Sequence, residues 1–74
     1  MAEYSVGDLA RRAGVSASAV RYYERQGLLA PPPRRSGRRS YGPNDLGRLR
    51  AIAQGRSAGL RLKDIQALLD TMTD

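Results

Sequence analysis

Ser18, Arg21, Tyr22 and Arg25 recur at i, i+3, i+4 and i+7, so on a helix they share one face. A hydroxyl, two guanidinium groups and a phenol at that spacing can donate hydrogen bonds and present positive charge. The guanidinium is planar, stays charged at any working pH, and pairs bidentately with a phosphate or with a guanine edge. A second basic group follows at Arg34-Arg35-Ser36-Gly37-Arg38-Arg39. Such chemistry is recognition of an anion rather than the making of a bond. The alternative for Arg21 and Arg25 is that they pair with Glu24 or stand in solvent, as surface charges commonly do. The arginine run that follows weighs against it.

Bond-making chemistry has few candidates in this chain. Its 74 residues include no Cys and no His, so the thiolate and imidazole ligands of zinc and the usual neutral-pH proton shuttle are both lacking. Ser, Tyr and carboxylates occur, but no evident pair of nucleophile and base. An enzyme is therefore not expected, and neither a metal nor a cofactor. Charge points elsewhere: 13 Lys+Arg against 7 Asp+Glu give a net charge of +6. All but Lys63 of those cations are Arg, and between Arg11 and Arg39 eight arginines face a single acid, Glu24. One concentrated cationic surface marks a binder of polyanions, although charge alone does not separate DNA from RNA or an acidic membrane. No apolar run approaches the length of a bilayer span or a signal peptide, so a cytoplasmic protein with no membrane partner is expected. A chain of this size forms one domain with a small core, burying roughly 60% of its unfolded surface.

Local signals place the basic residues on elements. Ser5 and Asp8 resemble a capping box, and Val6, Leu9, Ala10 and Ala13 form one apolar stripe. A first helix is predicted from Val6, with Gly14 supplying the turn. Ser16 can cap a second helix from about Ala17 to Gln26, closed by Gly27. Two short helices joined by a tight Gly-containing turn make a helix-turn-helix. On the second helix Val20 and Tyr23, with the flanking Val15 and Leu28, are the predicted core contacts. The opposite face carries Ser18, Arg21, Tyr22 and Arg25, with Tyr22 reaching phosphate or sugar.

Residues 28–41 read as a wing. Leu28-Leu29 anchors it, Pro31-Pro32-Pro33 holds it extended, and the arginine run with Ser36-Gly37 can double back as a basic hairpin. A charged linker is the other reading, but Leu28, Leu29 and Tyr41 bracket the segment as apolar tethers, which linkers usually lack. A third helix is predicted from Pro43 to near Gly59, with Leu46, Leu49, Ile52 and Ala53 as its core stripe. Leu62, Ile65, Leu68 and Leu69 define a fourth that runs to about Met72. Arg48, Arg50, Arg56 and Arg61 are expected on the solvated surface, with Arg56 able to reach a phosphate. The fold class expected is mainly α: a winged helix-turn-helix of about four helices with a small basic β-hairpin wing. One domain spans 1–74, divided into a helix-turn-helix at about 5–27, a wing at about 28–41 and buttressing helices at about 43–72.

Five motifs, in order and spacing, resemble the amino-terminal domain of MerR-family transcription regulators: Ser5-Val6-Gly7-Asp8-Leu9-Ala10, Gly14-Val15-Ser16, Val20 through Leu29, Arg38-Arg39-Ser40-Tyr41, and Asp45-Leu46-Gly47-Arg48-Leu49. The likeness covers Tyr4 to Leu69. It implies that Arg21 and Tyr22 contact DNA from a recognition helix, that Arg38 or Arg39 does so from the wing, and that Tyr41 packs at the wing's base. The family often has Ser where Gly42 and Arg61 precede the third and fourth helices, so caps here are weaker by ~0.5 to 1 kcal/mol. The resemblance also implies a continuation that these residues lack: a coiled-coil dimerisation helix and an effector-binding region. The chain is either an excised DNA-binding domain or a small standalone protein.

Sequence-specific binding of double-stranded DNA in bacterial transcription regulation is the expected function. Its candidate contacts are Ser16, Ala17, Ser18, Arg21, Tyr22 and Arg25 on the helix, with Arg38 and Arg39 on the wing. Family mechanism implies a homodimer, joined through the coiled coil, that distorts a promoter with overlong spacing so that RNA polymerase engages it. A standalone protein would instead bind cooperatively, head to tail, on direct repeats. The alternative from another class is an excisionase-type accessory protein that bends DNA in recombination. A nonspecific RNA or membrane-surface binder is a third reading, distinguished by whether binding survives competitor DNA.

Overall fold

Residues 3–35 and 37–72 are described by the structure, a computed structural model. Ser36 and the side chains of Arg34, Arg35, Arg38, Arg39 and Met72 lie outside that description. Four helices dominate: α1 (Val6–Ala13), α2 (Ala17–Arg25), α3 (Pro43–Ser57) and α4 (Leu62–Met72). Between α2 and α3 the backbones of β1 (Arg34–Arg35) and β2 (Arg38–Arg39) pair antiparallel, Arg34 opposite Arg39 and Arg35 opposite Arg38. An isolated antiparallel bridge joins Tyr4 to Tyr41.

The helix ends follow from local chemistry. The Ser5 hydroxyl accepts the Asp8 amide at 3.1 Å, while the Asp8 carboxylate takes the Arg11 guanidinium on the next turn. Gly14, at φ +76°, reverses the chain after α1, a backbone state that costs a residue with a Cβ. Ser16 then accepts the Ala19 amide at 3.0 Å and starts α2. That helix stops at Arg25, one residue short of the expected end, because Gln26 caps it and Gly27 turns left-handed at φ +83°. Pro43 occupies the first turn of α3, where it forfeits no helical bond. Gly42 has no side chain with which to cap, but its own N–H donates to the Asp45 carboxylate at 2.9 Å, half of a capping box.

The core draws on every segment. Leu9 and Ala10 from α1, Val20 from α2, Leu28, Leu29 and Tyr41 from the connection, Leu46, Leu49 and Ile52 from α3, and Ile65 and Leu69 from α4 are all buried. Val15 and Tyr23 pack on its edge as expected. Among the described residues no charged side chain is buried, and the hydroxyl of Tyr41 is the polar group the core carries. Three expectations need correction. Ala53 is only half-buried, and Ala51 packs against the core in its place. Leu68 is 55% exposed, because α4 meets α3 through Leu62, Ile65 and Leu69, and position 68 falls about a quarter turn off that line. Arg48 does not stand in solvent; its role is described below.

Candidate nucleic-acid interface

The outer face of α2 is where the basic residues meet. Val20, fully buried, fixes which side of the helix faces inward. Ser18, Arg21 and Arg25 consequently stand exposed, and Tyr22 is 42% exposed, the expected partition. The Arg25 guanidinium lies over the Tyr22 ring, 6.0 Å from its centroid. Tyr23 meets the same ring edge-on at 5.8 Å. Tyr22 is thus held between an arginine and the core-facing tyrosine, with its ring steered toward the outer face. Ser16 and Ala17 lie at the N-terminal end of this face. Ser16 spends its hydroxyl on the helix cap, and Ala17 is half-buried.

Arg21 and Arg25 line one small cleft with Glu24 and Pro31. Pro31, at the start of the connection, therefore lies on the same side of α2 that carries the guanidiniums. The side chains of Arg38 and Arg39 lie outside the described part of the structure, whereas their backbones form β2. Glu24 takes a different part from the one its sequence neighbours suggest: its carboxylate accepts the hydroxyl of buried Tyr41. That bond ties α2 to the return limb of the connection.

The return limb is held twice more. Tyr4 and Tyr41 exchange backbone bonds of 2.8 and 2.9 Å, and the Ser40 hydroxyl donates to the Glu3 carboxylate at 2.6 Å. Arg12 covers the Tyr4 ring at 5.1 Å. On the outgoing limb, Arg48 Nε donates to the Leu28 carbonyl at 2.6 Å, and Gln66 Nε2 to the Gly27 carbonyl at 3.3 Å. Both donors come from the second half of the chain. Sequence reasoning missed them, since carbonyl partners 20 and 39 residues away leave no mark on spacing. Arg56, considered for a phosphate, donates to the Leu60 carbonyl at 3.3 Å and remains exposed.

Among the described residues no group of His, Cys, Asp or Glu could hold a metal ion, and no helix is long and apolar enough to cross a membrane. What the site offers is an exposed array of cationic and hydroxyl donors on a short helix, with the backbone of a second arginine group following from its C-terminal end. That arrangement suits a phosphate-lined groove admitting one helix.

A sequence profile of the MerR HTH regulatory protein family matches residues 4–72. The chain is 37% identical over 71 residues to the heavy metal-dependent transcription regulator 2 of Rhizobium meliloti, covering 95% of this chain and 48% of that protein. It is 41% identical over 66 residues to a ZntR homolog of Haemophilus influenzae, covering 88% and 49%. The chain thus spans about half the length of these relatives. Among solved structures, HiNmlR, a MerR family regulator lacking the sensor domain and bound to promoter DNA, superposes with a TM-score of 0.86 at 29% identity, covering 96% of this chain and 55% of that one. SkgA of Caulobacter crescentus, an HTH-type transcriptional regulator, gives 0.80 at 44% identity, covering 95% and 51%.

Proposed function

The chain belongs to the MerR family of helix-turn-helix regulatory proteins, and from that premise we propose that it is a module binding double-stranded promoter DNA in bacterial transcription control. The whole of 1–74 acts as one unit, with α1 and α2 as the helix-turn-helix, residues 28–41 as the wing, and α3 and α4 as the buttress. In this reading α2 enters the major groove. Arg21 reads a guanine edge or grips a phosphate, Tyr22 and Arg25 contact the backbone, and Ser16, Ala17 and Ser18 approach it at the helix start, while Arg38 and Arg39 neutralise phosphates from a hairpin wing. The observation that carries the proposal is the exposed donor face Ser18-Arg21-Tyr22-Arg25, directly opposite buried Val20 and beside Pro31 of the outgoing connection. The promoter complex of HiNmlR supports it, at a sequence identity of 29%.

The relatives are transcription regulators, which speaks against an enzyme and leaves the recombination-accessory alternative without support. Metal dependence appears in the first relative's name; within these 74 residues no Cys or His supplies a counterpart. Engagement of RNA polymerase at a distorted promoter requires two protomers, and we take a homodimer to be the acting form. Linking two half-site modules raises avidity by a factor of about 10² or more, so a single module should bind one half-site weakly.

Selection from a random duplex library, followed by titration of the chosen half-site against a scrambled duplex in competitor DNA, tests the proposal. A preference of about 10³-fold is expected of specific recognition, and somewhat less of one module. Equal affinity for both duplexes would overturn it.

A further inference from the structure

Two consecutive backbone carbonyls, those of Gly27 and Leu28, mark the elbow at which the chain leaves α2 for the arginine-rich connection. The amides of Leu28 and Leu29 turn back to the Tyr23 carbonyl at 2.9 and 3.4 Å, closing the helix in the usual way. The two carbonyls, past the end of α2's own ladder, accept from side chains of distant helices. Arg48 of α3 holds Leu28 through Nε at 2.6 Å, and Gln66 of α4 holds Gly27. Arg48 also turns an outer guanidinium nitrogen toward Asp70 of α4, at 4.0 Å. Its side chain is only 27% exposed, unlike that of Asp70 at 67%. One guanidinium therefore spans the elbow and α4, and Gln66 repeats the link one turn earlier on the same helix.

Neither limb of the connection can set its own angle to α2. Two residues a side make a short ladder, and a short isolated hairpin is marginal in water. Direction must then be imposed at the base, where Tyr41 and Glu24 fix the return limb and Arg48 with Gln66 fix the outgoing one. We propose that Arg48 is a positioning residue which, together with Gln66, sets the angle between α2 and the arginine-bearing ladder from the seat of α3 and α4, and so sets how that ladder meets DNA. The consequence for DNA binding rests on the proposed function; the mechanical half, the holding of the elbow, does not.

The test uses Arg48→Met, which keeps an unbranched stem and removes the donors, with Arg48→Lys as the conservative variant and Gln66→Met as a second route should Arg48→Met fail to fold. Amide hydrogen exchange in the free protein reads the mechanical half. Leu28, Leu29 and Ser40, whose amide is held by the Pro33 carbonyl of the outgoing limb, should exchange about tenfold faster in Arg48→Met, with Tyr41, Leu9 and Ala10 unchanged and Lys restoring part of the protection. On half-site DNA the slope of log affinity against log salt should fall by roughly 0.9 for each ladder phosphate lost, while base preference from α2 persists. A merely structural role predicts faster exchange throughout the domain with slope and preference intact for the folded fraction, and that outcome overturns the inference. Unchanged exchange overturns it equally. If the parent protein itself shows no preference for any duplex, the proposed function fails, and the exchange pattern alone still decides whether the elbow is held by Arg48.

Discussion

Gly47 and Gly55 sit in the same helix, and replacing each with Ala should move stability in opposite directions. Both are interior to α3, where Ala is favoured over Gly by about 0.8–1.0 kcal/mol. Gly47 is exposed, and a Cβ built on it meets nothing within 4 Å, so Gly47→Ala should realise most of that gain, about 0.5–1 kcal/mol. A Cβ on Gly55 would stand 2.8 Å from Cγ1 and 2.9 Å from Cδ1 of Ile65. Carbon pairs rest at about 3.5–4.0 Å, so the seam between α3 and α4 would have to open by most of an ångström. Ile65 is 3% exposed and has little room to turn away. Overpacking of this kind costs about 1–3 kcal/mol, which cancels or exceeds the propensity gain and leaves Gly55→Ala about 0–2 kcal/mol less stable than the parent. The two variants should therefore differ by about 0.5–3 kcal/mol. At about 4–8 °C per kcal/mol for a domain of this size, thermal unfolding followed by circular dichroism separates them readily. If Gly55→Ala raised Tm as much as Gly47→Ala does, the close approach of the two helices would be wrong, and with it the account of what seats α4 behind the elbow.

Three further outcomes test the interface itself. Arg21→Ala should weaken binding to the selected half-site by roughly 1–3 kcal/mol in a fluorescence titration, with preference relaxed at one base pair if Arg21 reads guanine, or a uniform loss if it holds phosphate; no loss at all would remove this helix face from the interface. Val20→Ala should lower Tm, because the side chain is fully buried, whereas Tyr22→Ala should chiefly lower affinity. Equal melting by both, with binding per folded molecule unchanged for Tyr22→Ala, would refute the division of α2 into core and contact faces. Replacing Arg38 and Arg39 together by Ala should reduce the salt slope by roughly 0.9 per phosphate contact, almost independently of sequence; an unchanged slope with an intact fold would mean that neither arginine touches phosphate.

Much of α1 and α2 was legible in the sequence because their ends are written in nearest neighbours. Ser5, Gly14, Ser16 and Gly27 each act within three or four residues of themselves, and all four behave as their residue types dictate. The division of α2 into two faces was legible for a related reason: Val20 alone is large and fully apolar where the helix needs an inward anchor. The side chains of Arg38 and Arg39 fall outside the described structure, so their part rests on sequence and resemblance. Leu68 misled because apolar spacing in α4 supports two overlapping lines, 62/65/69 and 65/68, and the helix packs along the first, which leaves Leu68 exposed. Arg48 misled more deeply. An arginine on a helix reads as surface charge when its partner is the backbone of a residue 20 positions earlier, since every residue offers a carbonyl and none advertises that it needs a donor.

That failure also explains how a basic interface is built on so small a core. Burying the arginines of α2 or the ladder would remove the charge that the proposed function assigns to DNA binding, so their positions have to be fixed through the backbone that carries them. The apolar anchors Leu28, Leu29 and Tyr41 hold the base of the connection in the core but have no directional preference. Direction comes from the polar set around them: the Tyr4–Tyr41 bridge, Ser40 on Glu3, Tyr41 on Glu24, Arg48 on Leu28 and Gln66 on Gly27. Hydrogen bonds add only about 1 kcal/mol each to stability, yet they lose most of their strength below about 120°, so each fixes an orientation. On the proposed function, the residues that decide how the backbone presents those arginines to DNA are therefore, for the most part, residues that touch no DNA.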